Sequence, residues 1–429
     1  MVRKLSSRKI RYASIAIIGI GLALMIGLAL DLRFHGLAWR IFYSVTGEEA
    51  PAGQLYGFVN YLGNLTRRQP VTATDVPIKY SDMNPLGVNT FLENEVEESK
   101  RDRQLQMIAD AGIGWIRQQF PWQDIEIGQR GNFTDTRNGT PVDAWKKYDN
   151  IVDLADKYKI GIIARLGVPP VWSQPKGAKE GFAPPTDLQD FVNYATTLAT
   201  RYKGRIHFFQ VWNEPNIYPE WGDQPINPEQ YTEMLCRTYT ALKAVDPQNV
   251  IISGTLAQTI EFSARNLSDF VFLQRMYDAG AGKCFDILGA QGYGLFSGPT
   301  DQRMRPTTIN YAHLVWLRDM MIANGDAAKP IWIGEMAWNP VPDEKTVPTI
   351  ANRMNYGQVT DEQGARYAVE AYQRARTDWP YVGVICYWFF KLPADNEKDQ
   401  SRYYFRMVDP DFTLRPVYIA IKNYAATRR

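Results

Sequence analysis

Short apolar runs alternate with segments of helical periodicity along most of the chain. Eight runs have the length of a buried strand, and each is followed by a segment whose apolar residues recur at helical spacing. Eight successive strand–helix units predict an α/β fold consisting of one (β/α)8 barrel, with a doubly wound parallel sheet as the alternative. The predicted strands are 86–92, 113–119, 160–166, 206–213, 249–255, 285–291, 331–335 and 382–389, and the predicted helices lie near 97–111, 142–158, 186–203, 228–245, 267–279, 308–324, 361–377 and 415–426.

The connections between these elements differ in length at the two ends of the predicted barrel. Helix-to-strand connections are short, such as 111–112 and 203–204. Strand-to-helix connections are long and rich in Trp, Pro and Gly, as in 168–185, 216–227 and 339–360. Barrel enzymes build their active sites on the loops that follow the strands. A functional site is therefore expected at the carboxyl ends of the strands.

The N-terminus has the pattern of a membrane signal. Residues 1–12 carry five basic side chains, and the uncharged apolar run 13–30 follows. As a helix, a run of this length rises about 27 Å, close to the hydrocarbon thickness of a bilayer. The basic flank predicts a cytoplasmic segment 1–12, a transmembrane signal anchor 13–32 and an extracytoplasmic remainder. A cleaved signal peptide, which would make the protein secreted, is the alternative. A juxtamembrane segment 33–80 would then precede the barrel domain 81–429.

Composition narrows the chemistry. The 429 residues include 48 basic and 46 acidic side chains, a balance that gives no reason to expect nucleic acid as a partner. Only three histidines are present, so neither a histidine metal site nor a Ser-His-Asp triad is expected. Cys236, Cys284 and Cys386 are scattered, without a paired motif, and are expected to be buried thiols. The 12 Trp, 24 Tyr and 19 Phe would suit a ligand with flat apolar faces, such as a sugar.

Two of the predicted strands end on a glutamate flanked by aromatic residues. The stretch "FFQVWNEPN" brings Glu214 to the end of the fourth strand, and "IWIGEMAWN" brings Glu335 to the end of the seventh. In a closed barrel of eight strands these two positions face each other across the mouth. A pair of carboxylates facing each other across a cleft can hydrolyse a glycosidic bond.

With these motifs the chain resembles the retaining glycoside hydrolases of clan A, the cellulase-like barrels. The resemblance covers about residues 80–425 and rests on Asn213-Glu214-Pro215 and Ile333-Gly334-Glu335. It extends to Arg117 at the end of strand two, Tyr293 after strand six and Trp388 at the end of strand eight.

The chain also departs from the cellulase-type pattern. Gln291-Gly292-Tyr293 stands where many members carry His-x-Tyr, and Arg165 stands where many carry a histidine. A looser likeness, through "VPPVW" (168–172) and the membrane anchor, is to the family thirty-nine relatives associated with bacterial exopolysaccharide synthesis.

The resemblance implies a role for each matching residue. Glu335 would be the nucleophile and Glu214 the acid/base, with the two carboxyl groups about 5–5.5 Å apart. Arg117 would keep Glu335 ionised and Tyr293 would orient it. Asn213 would bind the sugar 2-hydroxyl, and Trp388 would lie beneath the sugar whose bond is broken. Four further tryptophans near the rim are candidate sugar platforms: Trp122, Trp172, Trp221 and Trp338.

The sequence thus predicts a membrane-anchored retaining O-glycosidase that acts on an extracytoplasmic polysaccharide or oligosaccharide and needs no metal or cofactor. A transglycosidase would use the same intermediate with a sugar as acceptor. A non-catalytic glycan-binding module in exopolysaccharide assembly would keep the barrel without turnover. The sugar, its linkage and any protein partner do not follow from these residues.

Overall fold

The computed structural model describes residues 7–178 and 181–428. Its main sheet has eight strands, all paired in parallel, at the eight predicted places. The (β/α)8 prediction is therefore confirmed. The barrel strands are β1 (Leu86–Thr90), β2 (Trp115–Pro121), β3 (Gly161–Gly167), β4 (Phe208–Val211), β5 (Val250–Ile252), β6 (Leu288–Gln291), β7 (Ile331–Met336) and β8 (Val382–Tyr387).

The strands follow one another around the barrel in chain order. The ladder runs β5-β4-β3-β2-β1-β8-β7-β6. Parallel bridges between Ile252 and Ile287 and between Leu256 and Ala290 join its two ends. These bridges close the barrel, so that all strand ends surround one mouth.

A helix follows each strand, near the predicted position. Several helices begin at a side chain that accepts a backbone N–H: Asp187 from Gln189, and Asn227 from Gln230. Such caps satisfy the first turn of a helix. The barrel helices are α1 (Glu98–Asp110), α2 (Lys146–Tyr158), α3 (Leu188–Arg201), α4 (Pro228–Val245), α5 (Asp269–Asp278), α6 (Leu314–Ala323), α7 (Asp361–Asp378) and α8 (Pro416–Ala426).

Two predicted helices begin later than the periodicity indicated. Val142–Asp143 pairs with Thr134–Asp135 in a small antiparallel hairpin, so α2 begins only at Lys146. A 3-10 turn, Tyr311–His313, precedes α6. Helical periodicity alone does not distinguish these lead-in segments from the helices themselves.

The amino-terminal half of the barrel interior is an apolar layer. Phe208 stacks on Trp332 with ring centroids 5.0 Å apart, and Trp115 packs edge-on against Phe208. Burying large side chains in this way supplies the main driving force for folding. We call this set the lower layer; its buried members are Ile163, Phe208, Val250, Ile252, Ile287, Trp332, Val384 and Cys386.

The chain divides into two compact units, with a boundary at Gln69 and Pro70. The first unit comprises the residues before the boundary together with Thr300–Met304, and the second comprises the barrel. The first unit contains helices Ser7–Arg33, Leu37–Thr46 and Pro51–Asn64. Within the first of these, Ser14–Arg33 is long and apolar enough to cross a membrane. Residues 1–6 of the predicted cytoplasmic segment 1–12 lie outside the described residues.

The prediction of three buried thiols is wrong for two of them. Cys236 in α4 and Cys284, just after a 3-10 turn that follows α5, form a disulfide with their Cα atoms 4.7 Å apart. Cys386 in β8 is a buried free thiol, as predicted. The two paired cysteines are 48 positions apart, and only the packing of successive helices brings them together.

Candidate active site

The backbone beyond β4 carries Asn213 and Glu214 to the barrel mouth. Trp212 and Glu214 have φ angles of 72° and 37°, in the left-handed region that is uncommon for residues other than glycine. The N–H of Glu214 donates to the carbonyl of Thr255 at 3.1 Å, and Asn213 forms a parallel bridge to the same residue. These contacts with the segment after β5 hold the turn.

A register shift in β7 turns Glu335 into the barrel. Ala290 pairs with Ile333, but the next residue of β6, Gln291, pairs with Glu335. The skipped residue is Gly334, where a Cβ would lie 2.2 Å from the Thr255 Cγ2 and 3.4 Å from the Arg117 Nε. Glycine is therefore required by the close approach of neighbouring side chains. Glu335 itself is 5% exposed.

Arg117 in β2 connects most of the polar groups beneath the mouth. Its Nη1 donates to the Glu335 Oε1 at 2.9 Å and to the Asn89 Oδ1 at 2.7 Å. Its Nε donates to the Gln210 Oε1 at 2.7 Å, and its Nη2 donates to the Asn213 Oδ1 at 2.7 Å. A buried ion pair is stabilising only when the remaining donors are satisfied in this way. The Arg117 network thus fixes the position of Glu335 relative to Asn213.

The second oxygen of Glu335 is bound by Tyr293. The Tyr293 hydroxyl donates to the Glu335 Oε2 at 2.8 Å. The tyrosine is itself held by its backbone N–H, which donates to the Gln258 Oε1 at 2.8 Å. Burial, and then the charge of Glu335, raise the pKa of Tyr293 well above its usual value, so the tyrosine remains a donor. Glu335 is thus a carboxylate with a cation on one oxygen and a hydroxyl donor on the other.

Glu214 has a different environment. Gln291 donates one hydrogen bond from its Nε2 to the Glu214 Oε1 at 2.8 Å. Burial raises the pKa of Glu214 to about 8, and the negative charges of Glu335 and Glu220 add to the rise. The hydrogen bond from Gln291 and the charge of Arg165 oppose it. Glu214 is therefore protonated at neutral pH, while Glu335 has an ion-pair partner.

A cavity of about 350 Å³ opens beside these residues, at the ends of β2, β3 and β4. Asn213, Trp212 and Gln119 line it, together with Arg165 and Glu220. The guanidinium of Arg165 lies 3.8 Å from the Glu220 carboxylate. Burial raises the pKa of Glu220, and the charge of Arg165 opposes that rise. The sequence pattern did not single out Glu220 as a site residue, because no strand end or motif marks it within the loop after β4.

The predicted tryptophans divide into two groups. Trp122, Trp221 and Trp338 are at most 1% exposed, so their faces are not available to a sugar. Trp122 stacks on Tyr194, and Trp338 donates from its indole to the Ser297 carbonyl, contacts that anchor the rim loops. The stacking role predicted for these three is incompatible with this packing.

Trp172 and Trp388 remain half-buried. Trp388 follows β8, and its backbone N–H donates to the Met336 carbonyl at 3.1 Å; its ring meets Phe91 edge-on. Trp172 lines a second cavity of about 370 Å³. Gln123 lines this cavity and the one beside Asn213, so the two adjoin.

One further side chain near the carboxylates was missed by the sequence pattern. Burial and the charge of Glu214 raise the pKa of Tyr356, which lies in the loop after β7. In the described part of the chain, no group of three or more His, Cys, Asp or Glu side chains could hold a metal ion.

Comparisons with known proteins agree with this fold. The cellulase family (glycosyl hydrolase family 5) matches residues 74–274, somewhat under half of the chain. A family 39 glycoside hydrolase from Bacteroides cellulosilyticus WH2 superposes with a TM-score of 0.59 and 19% identity, covering 82% of this chain and 64% of that one. A family 39 β-xylosidase from Caulobacter crescentus gives a TM-score of 0.56 and 18% identity, covering 84% and 73%. The search of curated proteins returned no match.

An exo-β-1,4-mannosidase from Opitutaceae bacterium strain TAV5 superposes with a TM-score of 0.56 and 17% identity. The match covers 83% of this chain and 62% of that one. The partial family match and the shared fold are both to (β/α)8 barrels of cellulase-like glycoside hydrolases. At these identities the solved structures carry information on the fold and none on the substrate. This chain spans 64% of the length of the Bacteroides protein.

Proposed function

We propose that the protein is a retaining O-glycosidase that works by double displacement, with Glu335 as nucleophile and Glu214 as acid/base. The observation that carries the proposal is the contrast between the two carboxyl groups. Glu335 is paired with Arg117 and Tyr293, whereas burial raises the pKa of Glu214 to about 8. A carboxylate paired with a cation and a carboxyl group whose pKa is raised, both at the barrel mouth, match the two roles that the reaction needs.

In the first step the Glu335 carboxylate attacks the anomeric carbon. The bond from that carbon to the leaving oxygen breaks, and Glu214 gives its proton to that oxygen. The products are a glycosyl ester on Glu335 and a free alcohol. Asn213, which accepts from Arg117 at 2.7 Å, lies beside the acid/base and would bind the 2-hydroxyl.

In the second step the same groups act in reverse. Glu214, now ionised, takes a proton from water as the water oxygen attacks the anomeric carbon. The ester bond breaks, and the Glu335 carboxylate returns to its pair with Arg117. Two inversions give net retention at the anomeric carbon. We expect the two carboxyl groups to stand about 5–5.5 Å apart.

We further propose that the substrate is a polysaccharide or oligosaccharide. The adjoining cavities of about 350 and 370 Å³ provide room for more than one sugar. Trp388 would support the sugar that is attacked, and Trp172 would stack on a more distant one. Both side chains are half-buried, so each is partly accessible.

The site of action that fits best is outside the cytoplasm. The helix segment Ser14–Arg33 is apolar enough to anchor the chain in a membrane. The Cys236–Cys284 disulfide is independent support, because disulfides persist mainly in oxidising compartments. We propose a single-pass membrane protein with its barrel on the outer side.

The test is an assay of full-length protein in detergent against a panel of β-glycans and aryl β-glycosides. Reducing ends and the anomer first released are followed for wild type, Glu335→Gln and Glu214→Gln. We expect cleavage with retention, abolished by Glu335→Gln. Release of the inverted anomer, or full activity in Glu335→Gln, would contradict the proposal.

A further inference from the structure

The Arg165 side chain has unused hydrogen-bonding capacity in the wall of the cavity. A guanidinium carries five N–H donors. Among the residues that the structure describes, its nearest ionic partner is Glu220, at 3.8 Å. That separation is too long for a direct hydrogen bond. The side chain is only 14% exposed, so the donors face the cavity rather than bulk water.

A pair with this geometry is a poor structural ion pair. Buried charges offset their loss of hydration only when close hydrogen bonds satisfy them, as the Arg117 network does for Glu335. Glu220 has a side-chain hydrogen bond with Asn213, and both Arg165 and Glu220 line the same cavity without a direct hydrogen bond between them. A bound group that accepts a hydrogen bond from Arg165 and donates one to Glu220 would satisfy both side chains.

The charge around the cavity selects the kind of group. Each of the two guanidiniums beneath the mouth already has a carboxylate beside it: Arg117 has Glu335 at 2.9 Å, and Arg165 has Glu220 at 3.8 Å. An anionic sugar would add an uncompensated negative charge near these two carboxylates. A neutral sugar adds no charge, and two adjacent hydroxyls supply the required acceptor and donor.

We infer that Arg165 and Glu220 are specificity-determining residues that bind adjacent hydroxyls of a neutral sugar. The cavity they line also contains Asn213, next to the proposed acid/base, so the sugar concerned is the one attacked or its immediate neighbour. This inference rests on the proposed function. It narrows the substrate to neutral glycosides, with a uronic acid disfavoured by Glu220.

The experiment measures the rate at which 2-deoxy-2-fluoro-β-glycosyl fluorides inactivate the full-length protein in detergent. Attack by Glu335 forms the ester and releases fluoride, so the rate reports on binding and on the first step alone. The reagents are the glucosyl, mannosyl, galactosyl and xylosyl compounds, the 4-deoxy and 6-deoxy glucosyl compounds, and the glucuronyl compound. The variants are Arg165→Lys, Arg165→Gln and Glu220→Gln.

A matched control is available on the same rim. Arg265 and Asp223 form an exposed ion pair at 3.0 Å, in the loops after β5 and β4. Arg265→Lys and Asp223→Asn make the same chemical changes away from the cavity. We expect these to stay within about twofold of wild type, as surface pairs contribute little.

We expect each cavity variant to lower the rate with the preferred neutral reagent by about 10- to 100-fold, the usual effect of losing a hydrogen bond to a charged group. For one deoxy reagent the variant and wild type should converge, because the hydroxyl that the residue binds is already missing. Thermal melting of each variant confirms that it is folded, and the ratio between reagents within one variant does not depend on the folded fraction.

The outcomes separate the two proposals. If no reagent modifies Glu335 in wild type while the protein cleaves no glycan, the proposed function fails and this inference fails with it. If the reagents modify Glu335 but the cavity variants behave like the controls, only the inference is overturned. A glucuronyl reagent that outpaces every neutral one would also overturn it.

Discussion

Two successive layers of the barrel interior differ in almost every respect, although they lie on the same strands. On β3, Ile163 belongs to the lower layer and Arg165, two residues on, lines the cavity. On β4, Phe208 belongs to the lower layer and Gln210 accepts a hydrogen bond from Arg117. Side chains two apart on a strand share a face, so both layers point into the barrel.

Stability and chemistry reside in different layers of the barrel. The lower layer consists of packed aromatic and aliphatic groups, which hold the strands together by burial. The second layer, which we call the upper layer, is polar and includes Arg117, Arg165, Gln210 and Glu335. The hydrogen bonds that Arg117 donates to Gln210, Asn89, Glu335 and Asn213 stabilise its central part. Substitutions in the lower layer should therefore reduce stability. Substitutions in the upper layer should reduce activity, or both activity and stability.

The largest effect is expected from Arg117→Met. The substitution leaves the Glu335 carboxylate buried without its cation, a loss that typically costs about 3–5 kcal/mol. Activity should vanish as well, since the nucleophile loses its position. The matched lower-layer change is Phe208→Leu, which should destabilise but leave the activity of the folded fraction nearly intact. Urea unfolding measures the stability of both variants, and aryl-glycoside assays measure their activity. An equal loss of activity per folded molecule in the two variants would contradict the distinction between the layers.

Gly334→Ala should have the next largest effect. The added methyl group meets Thr255 at 2.2 Å and approaches Arg117, so these side chains must shift. Overpacking of this kind costs about 1–3 kcal/mol. Because the displaced groups hold Asn213 and Glu335, we expect kcat to fall far more than the melting temperature. A variant with normal kcat would show that the close packing at Gly334 does not position the site.

Tyr293→Phe sharpens the comparison within the upper layer. It removes one donor from Glu335 but leaves the ion pair with Arg117. We expect kcat/KM to fall about 10- to 100-fold, as for other hydrogen bonds to a charged group. The protein should unfold at nearly the wild-type urea concentration. Tyr311→Phe, which removes a buried hydroxyl bonded to the Ala371 carbonyl outside the site, is the control. Equal kinetic effects in both would contradict the account.

A further contrast between the two carboxyl groups is a pH dependence of stability that comes from Glu214. The pKa of Glu214 is about 8 in the folded protein, above its unfolded value near 4.5. Between these values the folded state holds a proton that the unfolded state has released, so wild type loses stability as pH rises through this window. Glu214→Gln removes this loss. Its melting temperature, relative to wild type, should therefore be higher at pH 8 than at pH 5, and an unchanged difference would argue against the raised pKa.

The same pKa predicts a loss of catalysis at high pH. Glu214 must be protonated for the first step, so kcat/KM should decline as pH rises through about 8. Aryl glycosides with good leaving groups need less acid assistance and should show a weaker decline. A profile that stays flat to pH 9.5 with a poor leaving group would contradict the assignment of Glu214 as acid.

The sequence was sufficient for the arrangement of strands and helices because that arrangement follows from periodicity. The apolar runs at β1–β8 and the caps at Asp187 and Asn227 are local signals that tertiary packing does not override. Loop lengths likewise indicated the working end of the barrel. The start of α2 was not predictable, because Val142–Asp143 joins a hairpin through a pairing with Thr134–Asp135.

The candidate site was only partly accessible from sequence. Arg117 and Glu335 stand on barrel strands and Glu214 follows one, so the predicted barrel brings them to the same mouth. Glu220 was missed, because its approach to Arg165 depends on the fold of a loop.

Contacts between residues that are far apart in the sequence were harder to predict. Trp122, Trp221 and Trp338 are indistinguishable from sugar platforms in sequence, and only packing shows that they are buried. The partnership of Cys236 and Cys284 likewise depends on how α4 packs against the turn after α5.

Identifying the residue that forms the glycosyl ester tests directly whether Glu335 is the nucleophile. Full-length protein in detergent is treated with the 2-deoxy-2-fluoro-β-glycosyl fluoride that inactivates it fastest, digested, and analysed by peptide mass spectrometry. The account predicts one fluoroglycosyl group on the peptide that contains Glu335, absent in Glu335→Gln and still formed in Glu214→Gln, because fluoride leaves without an acid. A label on Glu214, or cleavage of a glycan with no label on Glu335, would contradict it.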